Sequence, residues 1–173
     1  MAIQLLYEVG LQDITIEAIA ERSGVGKATI YRWWPSKGMV VLDAYLEEMA
    51  GKVTVPDTGS GREDFRRQAR AVVRFYGGKE GRIFAQFVAA GQTDPMLADA
   101  FRERFLARRR AGVRQIWDRG VARGEFRKDI DPDIALDMIY GPVIYRLLTK
   151  RAELSADFAL ELVDAALGGL VVR

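Results

Sequence analysis

The stretch Thr15–Lys37, TIEAIAERSGVGKATIYRWWPSK, decides how this chain is read. Thr15 stands before an apolar run, and its hydroxyl can cap a helix by accepting one of the amide protons that the first turn leaves unbonded. In IEAIAERS, Ile16, Ile19 and Ala20 fall on one face at helical spacing. Gly24 breaks that helix, Val25 is placed to plug the turn, and Gly26 opens a second short helix, KATIYRWW. Pro35 closes it, because the residue before a proline is pushed out of the α region. Two short helices joined by a tight glycine turn make a helix-turn-helix. The second carries Lys27, Thr29, Tyr31, Arg32 and Trp33, side chains suited to phosphates and base edges. A purely structural helical hairpin would more often show Ala or Glu/Lys pairs on that face.

Outward from this motif the chain reads as helix nearly throughout, without strand-like alternation or internal repeat. A first helix covers about 2–9 and stops at Gly10. Ser36 caps a fourth that runs to about Ala50, with Val40, Val41, Ala44 and Leu46 apolar. GKVTVPDTGSG, with Pro56, Gly59 and Gly61 as breakers, is a linker. Helices follow at about 62–76 and 80–90, and then from Pro95 to Arg123 with a break expected near 106–110. The last two run from Asp131 to about Arg151 and from Ser155 towards Leu170; Asp94-Pro95 and Asp131-Pro132 are start signals. The expected fold is all-α, with about nine helices. Residues 1–50 are expected to form a three-helix helix-turn-helix DNA-binding domain, and 51–173 a second helical bundle.

The same stretch, T-I-E-A-I-A-E-R-S-G-V-G-K-A-T-I-Y-R-W-W-P-S-K, closely resembles the N-terminal domain of the TetR family of bacterial repressors. The match covers residues 2–48; Gly26 stands where that family usually has Ser, and Trp34 at its usual Phe. A looser resemblance to one of the family's ligand-binding domains runs through LADAFRERFLARRRAGVRQIWDRGVARGEFRKDIDPDIALDMIYGPVIYRLL. The resemblance implies a ligand-responsive regulator, a repressor that binds a palindromic operator in double-stranded DNA as a homodimer and is released by a small hydrophobic or aromatic effector. It implies that Thr15, Tyr31 and Lys37 hold phosphates, and that Lys27, Ala28, Thr29, Arg32 and Trp33 lie at or near base edges; Ile16 completes the expected DNA-binding set. Family first helices are preceded by a basic arm, whereas MAIQLLYEVG starts inside that helix, so a missing N-terminal segment is expected. The charge agrees: residues 1–50 hold four Lys/Arg and seven Asp/Glu, and duplex DNA repels a net-acidic domain unless its cations are focused on one face.

Composition excludes other classes. The chain has no Cys and no His, which removes disulfide frameworks, Ser-His-Asp and Cys-His catalysis and most zinc sites. No cofactor and no enzymatic activity are expected, and no paired-carboxylate motif or phosphate loop argues otherwise. MAIQLLYEVG lacks the basic start and cleavage site of a signal peptide, and no uncharged apolar run reaches the roughly 18 residues of a membrane span. A cytoplasmic regulator follows. The competing reading is a DNA-binding architectural protein with no effector, which differs only in having a filled core.

The helix DIALDMIYGPVIYRLL is apolar around nearly its whole circumference, and such a helix must be buried on all sides. The final helix adds Phe158, Leu162, Ala165, Ala166 and Gly169 on a smooth face. A twofold interface from Ile144, Phe158, Leu162, Ala166 and Gly169 is expected, with Gly141-Pro142 kinking the longer helix. The expected effector-lining residues are Phe84, Phe87, Trp117, Met138 and Tyr140, with Tyr76 and Gln86 as polar handles, although an aromatic stripe at helical spacing more often simply packs. From Arg62 to Lys128 the chain carries seventeen Lys/Arg against eight Asp/Glu, and the run Arg108-Arg109-Arg110 is read as a solvated helix face.

Overall fold

Short polar residues set where the helices begin. Thr15, Ser36, Asp94, Asp131 and Ser155 each accept an amide proton from the first turn that follows, at 3.1, 3.4, 3.0, 2.8 and 3.1 Å. The resulting computed structural model describes residues 1–170 and is all-α. Residues 171–173 of the expected second domain lie outside the described residues. The helices are α1 (Ala2–Asp13), α2 (Ile16–Ser23), α3 (Lys27–Trp33), α4 (Lys37–Met49), α5 (Gly61–Gly77), α6 (Lys79–Ala90), α7 (Pro95–Phe101), α8 (Ala107–Ala122), α9 (Pro132–Thr149) and α10 (Ala156–Leu170). Between α7 and α8 the chain does not stop but widens into a π-helical turn, Arg102–Leu106, slightly ahead of the break expected from sequence. Gly10 interrupts α1, as expected. It breaks the helical backbone with φ 83°, and one further turn follows before Ile14.

The chain packs as two units. Met1–Ala50 cluster with Arg82–Leu106, and Gly51–Gly81 cluster with the chain from Ala107 onward. Packing therefore crosses the expected boundary at residue 50. The reason is aromatic. Tyr45 of α4 meets Phe87 and Phe105 at ring separations of 5.3 and 5.4 Å, and Phe101 stacks on Phe87 and Phe105 at 5.2 Å each. A helix bearing Phe84 and Phe87 thus finds its apolar partners in the first unit, where such ring pairs add to the area they bury. Gln86 on the same helix accepts from the Leu11 amide at 2.6 Å, a proton left unbonded by the break at Gly10.

In the second unit α5, α8, α9 and α10 surround Phe65, Val73, Ile116, Trp117, Leu136, Ile139, Val163 and Leu167. Trp117 and Phe126 stack 5.0 Å apart and 11° from parallel. The linker is docked rather than loose. Val53 and Val55 pack on this core, and Asp64, fully buried, accepts from the Thr58 amide and hydroxyl at 2.8 and 2.7 Å. Arg119 donates to the Pro56 carbonyl at 2.5 Å and approaches Asp57 and Asp64 at 3.4 and 3.6 Å. The arginine run is also mostly engaged. Arg109 lies 5.1 Å over the Phe75 ring, and Arg110 bridges Asp133 and Asp137 at 2.7 and 2.8 Å, which leaves Arg108 as its solvated member.

Candidate nucleic-acid interface and effector residues

α3 is held to its unit through one side chain, Ile30; Lys27, Ala28, Thr29, Tyr31, Arg32 and Trp33 are all exposed. Trp33 is 71% and Tyr31 54% exposed, unusual for residues that normally bury much of their surface. The turn before it works as expected at Gly24, whose φ of 70° is the left-handed conformation that glycine adopts without strain. Val25 does not plug that turn: it is 40% exposed. α3 ends at Trp34, whose backbone is extended, as Pro35 requires.

The expected phosphate contacts are placed differently from one another. The Thr15 hydroxyl accepts from Ala18, which leaves its proton for a phosphate oxygen. Tyr31 is exposed on α3. Lys37 is turned inward: its ammonium donates to the carbonyls of Gln12 and Ile14 at 2.8 and 2.9 Å, so it ties off the end of α1 and has one proton to spare. Ile16 is 4% exposed and belongs to the core, leaving only its backbone amide for DNA. Lys27 is paired with Glu17 across the two helices at 3.0 Å, and that bond holds the Glu17 carboxyl below its usual range. Both groups are well exposed, so the pair opens readily when a stronger acceptor arrives. Neither Asp43 nor Arg104 was singled out in the sequence, yet they flank this helix: Trp34 Nε1 donates to Asp43 Oδ2 at 2.7 Å, and Arg104 Nη2 lies 2.6 Å from Asp43 Oδ1.

The expected effector residues are divided between the two units. Phe84 and Phe87 are core residues of the first unit, 2% and 1% exposed. Trp117 is stacked on Phe126 in the second. Tyr140, its hydroxyl pushed up by burial and therefore a neutral donor, gives its proton to Gln68 Oε1 at 2.5 Å. Met138 is not interior at all but 46% exposed on the outer side of α9. Tyr76 packs edge-on against Phe75. Instead, the second unit opens a cleft of about 530 Å³ where α5 and α9 end, lined by Val73, Arg74, Arg146, Leu147, Lys150 and Leu154 among others. The expected dimer residues also divide. Ala166 is 8% exposed and packs into its own core, Phe158 sits under the Arg146 guanidinium at 3.4 Å, Ile144 and Leu162 are half-buried, and Gly169 is exposed.

A short helix that gives the core one residue and the solvent six, seated across a glycine turn from a capped partner, is the DNA-reading element of a helix-turn-helix transcriptional regulator. Comparison places the chain more closely. The profile of the bacterial regulatory proteins of the tetR family matches residues 1–44, and that of the tetracyclin repressor-like C-terminal domain matches residues 55–166. The HTH-type transcriptional regulator YdeS of Bacillus subtilis is 38% identical over 98% of this chain and 85% of its own. The crystal structure of the TetR family transcription regulator SCO0332 superposes with a TM-score of 0.84 at 35% identity, covering 99% of this chain and 94% of that one. The fold alone is shared with FadR of Bacillus subtilis, solved in complex with stearoyl-CoA, at a TM-score of 0.76 and 18% identity over 97% and 95% of the two chains. The chain belongs to the TetR family: it is a DNA-binding transcriptional regulator and not an enzyme. No helix among the described residues is long and apolar enough to cross a membrane.

Proposed function

We propose that the chain is a homodimeric repressor that reads a twofold-symmetric operator and is released by a small, largely apolar molecule carrying an acidic group. The observation that carries the dimer is the outer side of α9. Ile134, Met138, Tyr145 and Leu148 are 58%, 46%, 57% and 43% exposed. With Gly141 they recur at alternating steps of four and three residues, the spacing with which one helix packs against another. The opposite side, Ala135, Leu136, Ile139 and Val143, already fills the protomer's core. A helix apolar all round is thus covered on one face and bare on the other, which suits a second copy and centres the proposed seam on α9, without Ala166.

The acidic effector follows from the cleft. Arg74 and Lys150 have no carboxylate partner among the described residues, and Arg146 is held over Phe158, so three cations face one carboxylate, Glu153, in the lining, with Val73, Leu147 and Leu154 as an apolar floor. A cleft of this size suits a small ligand with few polar anchors. The packing of Phe84, Phe87 and Trp117 within their own units favours the competing reading, a regulator with no effector. A thermal-shift screen with medium-chain and aromatic carboxylates separates the two. A binder should raise the midpoint, as any ligand of the folded state does, and should lower affinity for an operator duplex selected from a random pool. Arg74→Gln combined with Lys150→Gly, which keeps the left-handed backbone at φ 52°, should abolish both effects. No binder in the panel, or one that leaves duplex affinity unchanged, would favour the effector-free regulator.

The DNA contacts are proposed as base-reading at Lys27, Ala28, Thr29, Arg32 and Trp33 and phosphate-holding at Thr15, Tyr31 and Lys37. Lys27→Ala should relax preference at one base position, at a cost of about 1–3 kcal/mol. Lys37→Ala should weaken binding to every sequence, flatten the salt dependence by about one unit of slope and also lower the melting midpoint, because two carbonyls lose their donor. Selection profiles and salt titrations of the two variants check this division; identical losses on selected and random duplexes for Lys27→Ala would put it on the backbone instead.

A further inference from the structure

We infer that Arg104, which belongs to the π-helical turn and not to the DNA-reading helix, is a positioning residue for DNA reading and acts through Asp43 on Trp34. α3 is seven residues long and buries only Ile30, so its C-terminal end needs a second fixed point. Trp34 supplies it. The indole N–H donates to Asp43 Oδ2 at 2.7 Å, a charge-assisted bond that a phenylalanine in the same place would lack. Asp43 lies on α4 and is half-buried, so the direction of its carboxylate matters and has to be set. Its other oxygen, Oδ1, faces Arg104 Nη2 at 2.6 Å, close enough for a strong charge contact but off the line of a hydrogen bond. The three groups form a chain: guanidinium, carboxylate, indole, with the carboxylate shared.

The origin of the guanidinium gives the chain its meaning. Arg104 is the middle residue of Arg102–Leu106, the one π-helical stretch among the described residues. A π-turn holds an extra residue against the α-helical pattern, and such turns recur where a helix must deliver a side chain to a functional place. Here Phe101 and Phe105, stacked 5.2 Å apart, anchor the turn in the core, and Arg104 projects from it onto Asp43. Leu106 is followed directly by Ala107, where the second packing unit resumes. Arg104 thus reaches Asp43 from the last segment of the first unit. Loss of the pair frees the carboxylate, and with it the end of α3.

A double-mutant cycle tests this, using a duplex selected from a random-sequence pool by the unaltered protein, with a random duplex as control. Arg104→Gln and Trp34→Phe should each weaken binding to the selected duplex about tenfold. The double variant should lose no more than the weaker-binding single one, because both act on one path. Affinity for the random duplex should stay within about twofold, and the salt slope should not change, since Arg104 touches no phosphate. Arg104→Lys, which keeps the charge, should restore most of the loss. Additive losses, near a hundredfold in the double variant, would overturn the path. So would a salt slope reduced by about one in Arg104→Gln, which would make Arg104 a phosphate ligand, or two single variants that bind as the unaltered protein does.

Discussion

Tyr145→Glu is expected to leave a folded monomer that no longer holds its operator. Tyr145 is 57% exposed in the protomer, and Glu is a good helix former, so folding of the single chain loses little. At a twofold seam built on α9 the same change brings two carboxylates together on apolar surface, and stripping water from an unpaired charge costs several kcal/mol. Sedimentation should show the monomer, circular dichroism an unchanged helix content, and operator affinity a fall on the order of a hundredfold or more, because a second tethered half-site adds at least that much. Ala166→Glu makes the contrast. Ala166 packs among Val163, Leu167 and their neighbours in its own core, so that variant should unfold rather than dissociate. A Tyr145→Glu protein that sediments as a dimer would remove α9 from the interface.

Gly120→Ala is expected to be strongly damaging to the core of the second unit. A Cβ at Gly120 would come within 2.2 Å of the Phe126 ring, far inside contact distance. Phe126 has nowhere to retreat. Its other sides meet Trp117 at 5.0 Å and Phe65 at 5.6 Å, and Gly61 was left bare for the same ring, with its own missing Cβ 2.6 Å away. Alanine normally stabilises a helix interior by up to about 1 kcal/mol over glycine. Overpacking here should outweigh that by about 3 kcal/mol, lowering the midpoint by roughly 6–12 °C in a chain of this size. Gly124→Ala, where the backbone is left-handed but no atom lies near, is the control for backbone strain alone and should cost about 1 kcal/mol. A melting curve for Gly120→Ala that matches the unaltered protein would mean that the ring stack yields to the added methyl group.

The helix starts and the DNA-reading turn were legible because their causes are local. A Thr, Ser or Asp ahead of an apolar run, a glycine at a left-handed position and a proline after a tryptophan act on their own neighbours within a few residues. What was not legible depends on partners distant in sequence. Helical spacing shows that Phe84 and Phe87 face a core, but not that the core contains Tyr45 and Phe101 rather than Trp117. The same spacing makes both α9 and α10 look like seams, and only packing reveals that Ala166 is used up within its own chain while Met138 and Tyr145 are left over. A lysine before a helix reads equally well as a phosphate ligand or a carbonyl cap, and at Lys37 the carbonyls have most of its protons. The Trp34–Asp43–Arg104 chain joins residues 9 and 61 positions apart through a hydrogen bond and an ion pair, which no periodicity encodes.

The solitary buried residue of α3 bears on how such a protein can change over time. Six of its seven positions contribute almost nothing to holding the domain together, so substitutions there are filtered by what the protein reads and hardly at all by whether it folds. Target preference can therefore drift, or be rewritten by selection in the laboratory, without first acquiring spare stability elsewhere. Ile30 is the exception: there the same drift would be stopped by the fold before the DNA was ever consulted.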